Sequence, residues 1–253
     1  MIRRTRFALI IAVGGLFLFS CGKKSEPTGP GEAGENYIPY QVGNTWTYQV
    51  APTKEAPYTA TETVVAKISE NGKELAVVKD ESSKNPGDFS LTYFELKPDR
   101  LLMHRIADFD PETGDTLRFD FPIPAVWLQI PLKKGQKWTV FQYDGPVNGI
   151  PVISSAIQMD SSYAAYSVNM TMKGQVITEE TVQAAGREFQ AFKVDFSFEG
   201  SLSIPNPPTT LPLSGKMGTF WITPEVGIVR IMFYELTGEV REIRTLVSYS
   251  LQK

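Results

Sequence analysis

From Tyr37 onward the chain alternates apolar and polar residues, and no stretch sustains a capped 3.6-residue apolar period. Side chains of a strand point to opposite faces in turn, so this period demands strands with one apolar and one wetter face. Leu117, Phe119 and Phe121 alternate with Arg118 and Asp120; Tyr166, Val168, Met170 and Met172 alternate with Ser167, Asn169 and Thr171. Phe192, Val194, Phe196 and Phe198 do so with Lys193, Asp195 and Ser197. At the end of the chain Ile243, Thr245, Val247 and Tyr249 set an apolar face against Glu242, Arg244 and Ser248. The runs 58–68 and 74–79 flank Asn71-Gly72, a strong hairpin signal. Residues 228–236 are apolar on both faces apart from Arg230 and Glu235, as in a covered central strand. Further turn signals stand at 111–114, 185–186, 224–227 and 237–238. About ten to twelve strands in an antiparallel meander follow, with little helix. The proline-rich stretch 205–212 interrupts the pattern and reads as a loop across an open edge or mouth.

Ahead of this domain, Arg3, Arg4 and Arg6 precede an apolar run from Phe7 to Phe19, then Ser20 and the only cysteine, Cys21. A membrane span needs roughly 20 apolar residues, and this run is shorter and holds Gly14-Gly15. A basic start, a short apolar segment and a small residue form an export signal. The Ser20-Cys21 junction resembles the lipobox of bacterial lipoproteins, with residues 1–20 as signal peptide and Cys21 as the acylated, palmitate-bearing residue. Residues 22–36, rich in glycine, proline and charge, read as a flexible tether, and 37–253 as one β domain. Gly22, Lys23 and Lys24 follow the cysteine without an aspartate, which in the enterobacterial sorting pattern implies the outer membrane, facing the periplasm.

One device occurs twice: Pro39-x-x-x-Gly43-x-x-Trp46-Thr47 and Pro131-x-x-x-Gly135-x-x-Trp138-Thr139. Proline stiffens the approach, glycine permits a turn, and tryptophan opens a strand. The simpler reading is a turn used twice; the alternative is a duplication. The first copy through Tyr48, the stretch 185–194 and the stretch 221–229 together resemble a broad group of bacterial envelope lipoproteins. Their motifs are P-L-x-x-G-x-x-W-x-Y, A-G-x-F-x-A-x-K-V and W-x-x-P-x-V-G-x-V. Here Tyr40 stands for the leucine and one residue is inserted after Gly186. The resemblance implies a curved antiparallel sheet, a half-barrel or open barrel, similar to the LolA/LolB half-barrels that hold acyl chains.

Composition narrows the function. Without residues 1–20 the chain holds 22 basic against 28 acidic residues, a net charge of −6, which argues against nucleic acid. His104 is the only histidine, in phase with Leu102 and Ile106, and reads as structural; multi-histidine metal sites are excluded. Asp108, Asp110, Glu112 and Asp115 suggest a calcium loop, but Thr113 and Phe119 occupy its glycine and terminal glutamate positions. A hairpin turn is the better reading. Glu179 and Glu180, adjacent on a strand, point to opposite faces and make a poor acid/base pair. No G-x-S-x-G elbow or phosphate-cradling loop occurs. No catalytic set, metal or cofactor is nominated. Two expectations stand: Trp46, Trp138, Phe196 and Trp221 line an apolar concave face that binds a lipid or other hydrophobic ligand. Alternatively, they fill the core of a non-catalytic module that contacts envelope proteins. The membrane is a partner through the Cys21 anchor.

Overall fold

The computed structural model describes residues 37–111, 113–146, 166–205 and 208–252. Residues 1–36, with Cys21, lie outside them. The described residues form twelve strands and no helix. The first six are β1 (Thr45–Pro52), β2 (Tyr58–Glu70), β3 (Lys73–Ser82), β4 (Phe89–Lys97), β5 (Arg100–Phe109) and β6 (Thr116–Gln129). Then come β7 (Lys137–Pro146), β8 (Ser167–Ala184), β9 (Arg187–Pro205), β10 (Pro208–Thr223), β11 (Gly227–Tyr234) and β12 (Val240–Ser250). They make one antiparallel sheet in the order β6-β5-β4-β3-β2-β1-β12-β11-β10-β9-β8-β7. Because β1 pairs with β12, the sheet bends into a nearly closed barrel whose one unsealed seam lies between β6 and β7. Of the two expected forms, it is the open barrel.

The two copies of the proline-glycine-tryptophan device open the first strand of each six-strand half, and they do the same work. Gly43 N–H donates to Val64 O at 2.8 Å and Val64 N–H to Asn44 O at 3.0 Å. Gly135 N–H donates to Val176 O at 2.8 Å and Val176 N–H to Gln136 O at 2.9 Å. Both glycines are left-handed, with φ of 92° and 83°, a region glycine enters without a Cβ penalty. In each half the next strand bulges just after the bonded valine, leaving Val65 and Ile177 exposed. The shared bonds, bulges and strand count favour the duplicated unit over a turn used twice.

The barrel is filled. Trp127 of β6 stacks on Phe196 of β9 at 4.4 Å, with rings tilted by 11°, and meets Phe220 of β10 edge-on at 5.6 Å. The entry segment plugs the end where β1 begins: Tyr37, Ile38 and Tyr40 are buried, and Tyr40 stacks on Phe94 at 5.3 Å. Asn44 ties this segment to the C-terminus, donating to Pro39 O at 3.1 Å and accepting from Gln252 N–H at 2.6 Å. The long β8–β9 hairpin reaches across the same end, where Ala185 N–H donates to Leu246 O at 2.7 Å. One side chain bridges the seam. Trp138 Nε1–H donates to Val126 O at 2.9 Å, and its ring lies over Gly174, where a Cβ would come within 2.3 Å.

Three sequence expectations change. On β12 the inward face is Glu242, Arg244 and Leu246, opposite to the face expected, because the interior at that level is charged. On β5 a bulge at His104 breaks the phase: Tyr93 opposes Arg105 and Phe94 opposes Met103, so His104 does not share a face with Ile106. The stretch 205–212 belongs to a hairpin, with Pro205 opposite Pro208 and residues 206–207 outside the described set. Pro208 and Pro212 are tolerated because β10 pairs with β11 only from Gly218, so their other edge is unpaired. The turn expected at 111–114 is present: Gly114 N–H donates to Asp110 O at 2.8 Å and Asp110 N–H to Asp115 O at 3.0 Å. Glu112 lies outside the described residues.

Candidate functional site

The four aromatic residues expected to line a concave face do not share one. Trp46 and Phe196 are fully enclosed and Trp138 nearly so, all within the main core. Trp221 is also buried within the main core, but it follows inward-facing Phe220 and lies on the opposite face of β10. There Lys193 and Arg230 cover its ring, each 5.2 Å from the centroid, and Nε1–H donates to Glu180 Oε1 at 2.6 Å. A cleft of about 340 Å³ lies at the entry end beside Tyr40 and Phe94, and charged Lys67, Glu74 and Glu95 share its lining. His104 lies nearby, with Nε2 2.9 Å from Glu95 Oε2. Burial pushes the Glu95 carboxyl up, but bonds to Lys97 and His104 outweigh it and hold the carboxyl below the usual range.

The distinctive chemistry lies inside the barrel, toward the end away from the entry segment. Arg244 on β12 is 1% exposed and pairs through Nη1 with Asp80 Oδ2 and through Nε with Glu242 Oε1, both at 3.0 Å. Glu62, directly opposite Asp80 on β2, is fully buried beside them. Three inward carboxyls therefore surround one guanidinium. Tyr58 donates to Glu242 Oε2 at 3.4 Å, and Tyr48 donates to Ile228 O at 3.0 Å. Burial, and then the charge of Glu62, hold the Tyr48 phenol well above its ordinary range. Burial pushes the Asp80 carboxyl up, with Arg244 acting against it. Asp108 on β5, two strands round the barrel from Asp80 with Ser90 between, is pushed up to about 6 by burial and by the charge of Asp80.

This cluster holds charge and protons in the barrel interior. Among the described residues, no group of three or more His, Cys, Asp or Glu side chains is placed to hold a metal ion. Sequence reasoning missed the cluster, although its signal was there: Glu62 occurs in phase with Ala60 and Val64, and Asp80 with Ala76 and Val78. A charge in the apolar phase of a strand marks a polar interior.

The cluster predicts a pH dependence. A folded-state pKa raised above its unfolded value gives stability that is full below the unfolded pKa and is lost as pH rises through the folded one. For Asp108 that window runs from about 4 to about 6. Lowering the pH from 7.5 to 5 should therefore stabilise the domain. With partial exposure discounted, the Asp108 share is about 1–2 kcal/mol. Asp108→Asn should be more stable than wild type at pH 7.5 and show a flatter profile in urea titrations; an unchanged slope would refute the assignment.

No protein-family model matches the chain, and no curated protein does. Solved structures with a similar course include an exported-protein candidate with a YmcC-like fold from Bacteroides fragilis, at 12% identity and TM-score 0.43, covering 85% of this chain and 99% of that one. A lipoprotein candidate from Parabacteroides distasonis matches at 14% identity and TM-score 0.42, again over 85% and 99%. The hypothetical lipoprotein YmcC from Escherichia coli matches at 13% identity and TM-score 0.36, over 81% and 84%.

Proposed function

We propose that the protein is a cell-envelope lipoprotein whose barrel is a non-catalytic interaction module held at the membrane by acylated Cys21. The filled interior carries this reading against that of a lipid carrier: Trp127, Phe196 and Phe220 occupy the space an acyl chain would need. A ligand pocket of ordinary size is a concave space of about 300–1,000 Å³ with a mainly apolar lining. The cleft at Tyr40 reaches that size but has charged walls. What the domain recognises then lies on its outer surface. The apolar run ending at Ser20-Cys21 supports the anchor, and Gly22 in place of an aspartate after it supports the outer membrane.

Two measurements test the parts separately. Labelling with a palmitate analogue should mark the wild type, while Cys21→Ala should lose the label and accumulate as precursor; equal labelling refutes the anchor. Native mass spectrometry of the mature chain should find no co-purified lipid, and a fluorescent fatty acid should not bind. Saturable micromolar binding would restore the carrier reading.

A further inference from the structure

We infer that the entry end of the barrel docks on the headgroups of an anionic bilayer through Lys133, Lys134 and Lys137. The antiparallel meander puts the start of β1, the turns at 71–72, 98–99, 185–186 and 224–226, and the 130–136 connection at one end. The chain enters the barrel there at Tyr37, 16 residues after Cys21. Three lysines within five residues are exposed at this end, and none forms an ion pair among the described residues. Exposed Arg187 follows the neighbouring 185–186 turn, and exposed Lys73 follows the 71–72 turn at the same end. The entry end also holds Asp99 and Glu225 in its turns and Glu70, Glu74 and Glu188 beside them, so the three lysines form a local basic patch on a mixed end. The far end carries Asp88, Asp110, Asp115, Glu235 and Glu239 in its turns beside Lys54 and Lys84 and is the more acidic of the two.

The duplication supplies an internal control. The first copy of the device makes the same turn and the same backbone bonds with Gln41, Val42 and Thr45 where the second has Lys133, Lys134 and Lys137. The turn therefore does not require lysine. Val42, 49% exposed, and Leu96, 46% exposed, stand at the same end and add an apolar component suited to a headgroup layer. An anionic surface attracts such a rim and repels the acidic far end, which orients the barrel with its outer strands and far turns free.

The inference rests on the proposed anchor only for the orientation it reinforces, and its test omits the lipid. The mature chain with Cys21→Ser is sedimented with equimolar phosphatidylglycerol/phosphatidylethanolamine vesicles and with phosphatidylcholine vesicles. Binding to the anionic vesicles alone, weakening as salt is raised, is expected. Each lysine near an anionic surface contributes about fivefold, so Lys133→Gln/Lys134→Gln/Lys137→Gln should bind about 100-fold more weakly. The far-end control Lys54→Gln/Lys84→Gln should bind like the parent chain. Equal binding to both vesicles, an unaffected triple variant, or an equal loss in the control overturns the inference. Palmitate labelling of wild type without vesicle binding by the unlipidated chain removes the docking surface alone and leaves the anchor in place.

Discussion

Arg244→Ala should destabilise the domain by about 3–5 kcal/mol at neutral pH, because it strands buried carboxylates that the guanidinium compensates. Asp80 and Glu242 each lose their 3.0 Å partner, and Glu62 loses the nearest buried positive charge. Alanine also removes the side chain that packs against the Phe233 ring, whose centroid is 5.6 Å from the guanidinium carbon. A domain of ordinary stability has only about 5–15 kcal/mol to lose, so the variant should sit near its unfolding midpoint at modest urea. The deficit should shrink toward pH 5, where the stranded carboxyls take up protons. A loss below about 1 kcal/mol, or one that does not change with pH, would show that the cluster is not compensated as described.

Trp127→Ala should cost about 3–5 kcal/mol for a different reason, the loss of a large buried side chain with incomplete collapse around the void. Trp127 is 1% exposed and sits between Phe196 and Phe220, with Trp138 edge-on to Phe196 at 6.1 Å. The vacated space would be apolar and large enough for a small aromatic molecule, and such cavities stay dry and take up benzene-sized guests. The variant should therefore gain stability when benzene is added, whereas the wild type should not. Equal stabilisation of both proteins would mean that the native interior already has room.

Much of the fold was legible because alternation is a local property. Strands, hairpin signals such as Asn71-Gly72 and the repeated device at Pro39 and Pro131 all follow from residues close in sequence. Alternation separates two faces without saying which is inside, and it carries no memory past a bulge. Hence β12 was read with Ile243 and Thr245 inward, and His104 was placed in phase with Ile106. The candidate site was less legible. Glu62, Asp80, Glu242 and Arg244 stand on three different strands, and their meeting depends on the β1–β12 ladder that joins the ends of the chain. Trp221, expected on the inner face, lies on the outer one, and Trp127, which the sequence did not single out, faces in, because only the register tells which tryptophan points inward.

The ladder between β1 and β12 also bears on the order in which the barrel forms. Every other ladder joins strands adjacent in the chain, whereas this one brings together residues such as Thr53 and Arg241, 188 apart. Closing a loop of that length in an unfolded chain costs about 4 kcal/mol more than closing a two-residue turn, since each doubling adds about 0.6 kcal/mol. Once β1–β6 and β7–β12 have formed, the free chain between the halves shrinks to the short 130–136 connection, and most of that cost disappears. The two halves should therefore assemble separately, with their union across β1 and β12 as the late event.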